Sequence, residues 1–367
     1  MAQTIIGLNN AMAVKIYSGN LAVDIGRKGY WTNKFMGSGD VPTKPIWKLT
    51  NLEADSGEQI TYDLSMQLKA APTQGDNVIE GKEESLTFYT DVVYIDQLRH
   101  GVDCGGRMTR KRTLHDLRKI GKARQTDYWA RLFDETHFMY LSGSRGTNVE
   151  YIEPTTFAGY ANNSFTTPDS QHLVYGGTAT SKASLAATDK FSLTAIDRCV
   201  AYAEMMGGGT QGLPQIQPAE VEGEKRYLCV IDPYQSYDLR NGTDTNGWAE
   251  IQKALATALG SKSNFITGAI GIHNDVVIHK HQNVVRFTDY GAGSNVAASR
   301  ALFCGVQAAT LAFGSPGKDL RFGWREEEKD AGNKIAIYTN VIMGIKKVTF
   351  NGLDFGVMAI DTAAKRP

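Results

Sequence analysis

RMTRKRTLHDLRKIGKARQTDYWARLFDETHFMYLSG, residues 107–143, reads as one long, basic helix. Thr113-Leu114-His115-Asp116 is a start signal, a hydroxyl at the N-cap with an acid three residues on. Leu114, Leu117, Ile120, Arg124, Tyr128 and Leu132 then recur every three or four residues, one face of a helical period. Phe133, Phe138, Tyr140 and Leu141 continue the apolar supply, and Ser142-Gly143 closes it with the residue best suited to a left-handed C-terminal turn. At 1.5 Å per residue such a helix is roughly 40 Å long, a beam along which other segments can lie. Its first half carries Arg107, Arg110, Lys111, Arg112, Arg118, Lys119, Lys122 and Arg124 against Asp116 alone, a net charge of +7.

The stretch before it has the opposite sign. Between Glu53 and Asp91 nine carboxylates, Glu80, Glu83 and Glu84 among them, stand against Lys69 and Lys82, a net charge of −7. Ile60, Tyr62, Leu64, Met66 and Leu68 alternate with Thr61, Asp63, Ser65 and Gln67, a strand with one apolar and one polar face. Pro72, Gly75, Asp76, Asn77 and Gly81 make a loose tip, and Leu86 and Phe88 begin a return strand. A two-stranded ribbon is marginal alone in water, so its apolar face needs a cover. An acidic ribbon and a basic beam in one chain suggest mutual contact, within a subunit or between copies. The bland alternative is that both are solvated faces, since surface charge adds little stability.

Further out, residues 1 to about 45 read as an arm: helical character from Asn9 to Ile25, then Gly26, Gly29, Gly37, Gly39, Pro42 and Pro45. Ser144 to Lys190 is rich in Gly, Thr, Ser and Asn and reads as short strands, such as Leu173-Val174-Tyr175, and loops. From Phe191 helix and strand alternate: a helix on Leu193, Ile196, Val200 and Ala203, and a buried strand Tyr227–Ile231 stopped by Asp232-Pro233. A helix follows on Trp248, Ile251, Leu255 and Leu259, then strands Ile270–His281 and Val284–Thr288. The chain closes in a hairpin whose strands, Lys334–Phe350 and Leu353–Ala359, flank Asn351-Gly352, the strongest short turn signal because both residues must take positive φ.

The 367 residues are 42% apolar and 21% charged, enough for a proper core. Lys plus Arg equals Asp plus Glu, which argues against a free-standing nucleic-acid binder while leaving open a local basic surface. Cys104, Cys199, Cys229 and Cys304 have no zinc or redox spacing and read as buried thiols. Met1–Gly7 lacks the features of a signal peptide, and the most apolar run, Val296–Phe313, is broken by Arg300 and Gln307, so no membrane association is expected.

Chemical motifs fail on context. Gly207–Gly212 spells a dinucleotide fingerprint but follows a helix and runs into Leu213-Pro214, where strand before and helix after are needed. Gly260-Ser261-Lys262-Ser263 lacks the Gly-Lys pair of a phosphate loop. His279 and His281 share a strand face, with His273 and Asp275 near, but the set is incomplete for a metal and reads as surface histidines. Glu326-Glu327-Glu328 reads as a charged exposed loop. No catalytic residues, cofactor or metal are assigned, and the chain is not expected to be an enzyme.

The order of parts resembles the major capsid proteins of tailed bacteriophages, with the Hong Kong 97-type α+β fold and closest to a podophage-like branch. The stretches that carry the resemblance are IIGLNNAMAVKIYSGNL near the start, SLTFYTDVVYIDQLRHGV, RKIGKARQTDYWARLFDE and VTFNGLDFGVMAID. It implies an N-terminal arm (1–48), an extended β-hairpin loop (49–100), a peripheral domain (101–190) with a spine helix at about 113–142, an axial α/β domain (191–332), and returning peripheral strands (333–367). It also implies assembly in the host bacterial cytoplasm, as pentamers and hexamers, into an icosahedral shell around packaged genomic DNA. A portal, a separate scaffold protein and a decoration protein would be its partners in the virion. Ile60, Tyr62, Leu64, Met66, Leu68, Glu80, Glu83 and Glu84 would meet a neighbouring subunit, and the basic residues of 107–124 that neighbour's loop or DNA. Two other readings stay open: a DNA-binding module using residues 107–124, and a cytoplasmic α/β enzyme.

Overall fold

The computed structural model describes residues 21, 23–39, 42–50, 57–66, 68–160, 162–207, 214–221, 224–241, 269–314 and 322–367. Residues 9–20 of the expected Asn9–Ile25 helix, the expected helix on 248–259, residues 208–212 of the Gly207–Gly212 loop and the 260–263 loop lie outside them; residues 21 and 23–25 are helical.

A short helix α1 (Tyr30–Lys34) precedes strands β1 (Met36–Ser38) and β2 (Ile46–Leu49). β3 (Gln59–Ser65) and β4 (Phe88–Tyr94) form the ribbon. β5 (Asp96–Gly106) runs straight into helix α2 (Arg107–Arg112), and the long helix α3 covers Leu117–Ser142. Then come β6 (Leu173–Tyr175), α4 (Leu193–Met205), β7 (Ala219–Val221), β8 (Glu224–Ile231) and α5 (Pro233–Asn241). β9 (Ala269–His273), β10 (Val276–Lys280), β11 (Arg286–Tyr290) and β12 (Val296–Cys304) follow. The chain ends with β13 (Ala309–Gly314), β14 (Phe322–Lys329), β15 (Lys334–Lys347), β16 (Thr349–Phe350), β17 (Leu353–Asp354) and β18 (Val357–Ala363).

Two sheets organise these strands. The first runs β1-β2-β13-β15-β14, with β5 on the free edge of β15. β15 is its axle. It pairs with β14 from Lys334 to Val341 and with β13 from Ile342 to Lys347, while β5 runs antiparallel along its other side. The second runs β6-β18-β12-β8-β10-β9, with β11 on β12 and β7 on β8. Its central strands are buried on both faces, so Leu228–Ile231 and Val276–Ile278 read as unbroken apolar runs. Strand pairing does not respect a division at residue 333. β13 and β14 belong to the first sheet with β15, and β18 returns to the second.

The long basic segment is two helices rather than one. Thr113 has extended backbone (φ −94°, ψ 143°) and ends α2, and Asp116 is the N-cap of α3. Its carboxylate accepts from the backbone N–H of Arg118 at 3.1 Å and of Lys119 at 3.2 Å, a stronger cap than the Thr113 hydroxyl could supply across the kink. The C-terminus is as expected: Gly143 (φ 67°) donates its N–H to Met139 and Tyr140 carbonyls.

The face of α3 on the first sheet is also not the expected apolar stripe. Leu114 and Ile120 are exposed; Gly121, Gln125 and Trp129 face inward. A Cβ on Gly121 would lie 3.3 Å from the Cys104 sulfur, so glycine sets how closely helix and sheet approach. Gln125 accepts from the Thr339 hydroxyl at 3.0 Å, and the Trp129 indole donates to that same hydroxyl at 2.8 Å. From Leu132 onward the helix is enclosed on every side and joins the main core. Its end is held to the second sheet by Arg300, which donates to the Ser142 carbonyl at 2.7 Å and makes a two-pronged pair with Asp361 at 2.7 Å.

Between the sheets sits α1. The Asp134 carboxylate of α3 accepts the backbone N–H of Tyr30 and of Trp31 at 2.9 and 3.1 Å, capping α1 from outside its own segment. His279 is buried and His281 half-buried: both pack against Tyr30, with His279 also on Phe35 and His281 on Phe138. His273 instead pairs with Asp197 at 3.0 Å. Among the described residues no group of three or more His, Cys, Asp or Glu is gathered as metal ligands would be.

Burial holds His137, His279 and His281 down at about 4, against an ordinary value of 6.5. The unfolded chain therefore binds more protons between those limits, so their contribution is intact above about pH 6.5 and is lost as pH falls toward 4. Burial pushes Asp134 up to about 6, which offsets part of the loss. Urea melts of the unassembled subunit should show stability dropping by about 2 kcal/mol per histidine from pH 7 to 5, less the Asp134 offset. His279→Phe should flatten that slope.

Candidate self-association surface

The ribbon divides into a covered base and an uncovered outer half. Ile60, Tyr62 and Val93 are buried against Leu49, Ala312, Val348 and Phe350 of the same chain. The base is tied down by Asp91, buried in the return strand. It accepts from the Tyr62 hydroxyl at 2.9 Å and the Thr349 N–H at 3.1 Å, and pairs with Lys346. Ile60 and Tyr62, expected to meet a neighbour, are thus already covered within the chain, because their face of β3 lies over β13 and β16. Leu64 and Met66 are half-buried.

Beyond Met66 the picture changes. Leu68, Val78, Ile79, Leu86 and Phe88 are each 58–66% exposed. That concentration of exposed aliphatic and aromatic side chains on one loop is more than the single scattered apolar residues of an ordinary surface. The loop has internal shape. Glu84 reaches across to accept the N–H of Ala70 at 2.7 Å and of Lys69 at 2.8 Å, and these bonds hold its carboxyl below the usual range. Glu83 accepts the N–H of Gly81, which has φ 81°. Glu80, Glu83 and Glu84 all stand in solvent.

The basic half is an elbow. α2 is bolted to the β14–β15 turn: Arg107 donates to the Gly332 carbonyl at 3.2 Å and Arg110 to the Asn333 carbonyl at 3.1 Å. Glu326 is a buried strand residue, not part of an exposed loop, and pairs with Arg118 at 2.7 Å. Arg124 pairs with Asp127 at 3.4 Å. Arg107, Lys111, Arg112, Arg118, Lys119 and Arg124 are exposed, and Arg110 and Lys122 are half-buried. Met108, Leu114 and Ile120 are exposed among them, Leu114 completely. A cleft of about 270 Å³ opens beside the α3 N-terminus, lined by Asp116, Arg118, Lys119, Lys122, Trp324 and Glu326.

The ribbon tip and the elbow are therefore complementary in two respects, charge and exposed apolar area. The pairs named for the elbow run to its own sheet and helix. Sequence reading placed the charges of both surfaces but missed the apolar tip residues Val78 and Ile79, which sit among turn formers. It also missed Asp91, whose role depends on Lys346 far along the chain.

The sequence model of a family described as phage capsid protein matches residues 5–366. The major capsid protein of Pseudomonas phage KPP25 is 27% identical over 92% of this chain and 92% of its own. Among solved structures, the capsid of Ralstonia phage GP4 is 50% identical, covers 100% of this chain and 99% of that one, and superposes with a TM-score of 0.83. The capsid asymmetric unit of Cyanophage Pam1 shares the fold at 20% identity and a TM-score of 0.70, over 92% of this chain and 93% of that one.

Arg118→Ala would leave Glu326 a buried carboxylate without its guanidinium and should cost about 1–3 kcal/mol in chemical denaturation of the subunit. Lys119→Ala, one residue on and exposed, should stay within about 0.5 kcal/mol of the parent.

Proposed function

The chain belongs to the phage capsid protein family, a major capsid protein of the Hong Kong 97-type α+β fold, and we propose that the ribbon tip of one copy docks on the basic elbow of the next. The observation that carries this is the exposed tip itself: five large apolar side chains and three carboxylates on a loop that its own body leaves bare. Those five side chains are 58–66% exposed, so covering what remains is worth about 5–9 kcal/mol at roughly 1.5–3 kcal/mol for a fully exposed side chain. That is the scale of the cost of fixing two bodies, so the elbow's own apolar residues and charges are needed to complete the contact. The charges add direction, since an acidic tip seated on a basic elbow favours one register and disfavours tip-to-tip or elbow-to-elbow contact.

A contact between two different surfaces is head-to-tail, and such contacts close into rings. In this reading rings of five and six tile an icosahedral head in the virion. The peripheral domain, residues 101–190 with 333–367, carries α2, α3 and β15, and the axial domain, residues 191–332, carries α4, α5, β8, β10 and β12. Residues 1–48 are the arm and 49–100 the extended loop. Those basic residues of 107–124 that the neighbour's loop leaves uncovered face packaged double-stranded DNA, where they would act through phosphate charge without reading sequence. A separate scaffold, a portal and a decoration protein complete the assembly, which takes place in the host bacterial cytoplasm. The protein's part is structural, with no cofactor and no catalytic step.

Reversing Glu80, Glu83 and Glu84 together to lysine should leave the monomer's circular dichroism and melting unchanged. It should also abolish rings and shells in negative-stain images at low salt. Adding Lys111→Glu, Arg112→Glu and Lys119→Glu to the same chain should restore part of the assembly. Undiminished assembly by the triple glutamate variant would refute tip-on-elbow docking.

A further inference from the structure

Lys347 ends β15 with only 1% of its surface exposed, and Asp354 in β17 is 4% exposed. The Lys347 Nζ lies 2.7 Å from one Asp354 carboxylate oxygen and 2.8 Å from the other. The hairpin geometry puts them there. Asn351 (φ 54°) and Gly352 (φ 72°) form the tight turn, and Thr349 stands opposite Asp354. Lys347 is two residues before Thr349, on the same face, and so is the diagonal neighbour that a long side chain can reach.

A second buried group stands against this pair. Asp169 accepts the backbone N–H of Asp354 at 2.8 Å and a ring nitrogen of His172 at 2.8 Å. His172 is fully buried, and its Nε2 has no hydrogen-bond partner among the described residues. The charge-shell function described above uses none of these four side chains.

We propose that Lys347 and Asp354 are the two ends of an intramolecular isopeptide bond that closes the β15–β17 hairpin covalently. The reaction is a condensation and needs no oxidant, reductant or co-reactant. The ammonium passes one proton to the carboxylate across the contact they already make, giving a neutral amine and a neutral acid. The amine lone pair attacks the carboxyl carbon and forms the C–N bond. The C–O bond to the hydroxyl then breaks, and the hydroxyl leaves with a proton from the nitrogen as water. One amide and one water replace one ion pair, so net charge is unchanged.

The surroundings favour the reactive forms. Burial lowers the Lys347 pKa and raises that of Asp354, each toward neutrality. Burial would raise Asp169 as well, but the bonds from His172 and from the Asp354 backbone outweigh it and keep it ionised. Its negative charge further disfavours an ionised Asp354. Asp169 is thus a positioning residue, fixing the Asp354 backbone and biasing its protonation. Exclusion of bulk water keeps the released water from driving the amide back.

The test is tryptic peptide mapping by mass spectrometry of the full-length purified protein, as subunit and as assembled particle. The expected result is an uncut 347–365 peptide, one water lighter than its sequence, because trypsin cannot cleave after an acylated lysine. In Lys347→Arg the water loss should vanish. Recovery of 348–365 at its full sequence mass from the parent protein overturns the proposal. So does a water loss that persists in Lys347→Arg, which would mark a cyclic imide at Asp354 instead. In Asp169→Asn the linked fraction should fall severalfold while the chain stays folded by circular dichroism; an unchanged fraction removes Asp169 from the assignment.

Discussion

Everything in this fold depends on the seam where α3 lies along β15. A single 14-residue strand holds β14, then β13, on one edge and β5 on the other, so β5, far earlier in the chain, shares one axle with two strands of the C-terminal region. The helix is fixed to that axle by polar contacts at its centre. The Thr339 hydroxyl of β15 takes the Trp129 indole N–H and gives its own proton to Gln125, which also stands beside His100 of β5. A purely apolar seam would allow the helix to slide by a turn. A hydroxyl that must satisfy two partners does not, because a slipped helix strands buried polar groups at a cost of about 1–3 kcal/mol each. The helix C-terminus then carries this register to the second sheet through Arg300 and Asp361, and the two sheets become one rigid body around a common core.

That rigidity makes sense of the ribbon. A two-stranded ribbon would flop if it left the body unsupported. Its first half instead lies over β13 and β16 with Asp91 as a pin, so only the outer half is free to meet another molecule. The chain exposes apolar side chains where they can be aimed and buries them where aim is decided.

How far this could be read from the sequence follows from which contacts are local. The C-terminal stop at Gly143 and the Asn351-Gly352 turn depend on backbone conformation within a few residues, and both are where the pattern put them. The start of α3 was misplaced because Thr113 and Asp116 both suit an N-cap, and the choice between them is made by α2, which β5 and the β14–β15 turn hold at an angle. The helix face was misread for a related reason. Periodicity assumes that burial is apolar, whereas this seam buries Gly121 and Gln125 and leaves Leu114 and Ile120 outside. His279 looked like a surface histidine because it stands beside Lys280 and His281 at the end of a strand; what covers it is Tyr30 and Phe35, some 250 residues earlier. The charge segregation was legible because electrostatic sign adds along a chain whatever the fold. The division of the ribbon into base and tip was not, since it rests on Asp91 meeting Lys346 and Thr349.

Those last contacts place the two consecutive lysines at the end of β15 in a common light. Successive strand residues point to opposite faces. Lys346 accordingly turns toward the ribbon and pairs with Asp91, while Lys347 turns inward and pairs with Asp354 at the mouth of the hairpin that feeds β18 into the second sheet. One dipeptide thus joins the exposed ribbon to the segment that crosses between sheets. A pull on the ribbon tip passes through Asp91 and Lys346 into the end of β15, and from there, one peptide bond away, to the hairpin. Ion pairs alone yield under such a pull, because water can replace either partner once the site opens. The chain's defence is to place both pairs where water has little access, and to put the more deeply buried of the two on the side that holds the two sheets together.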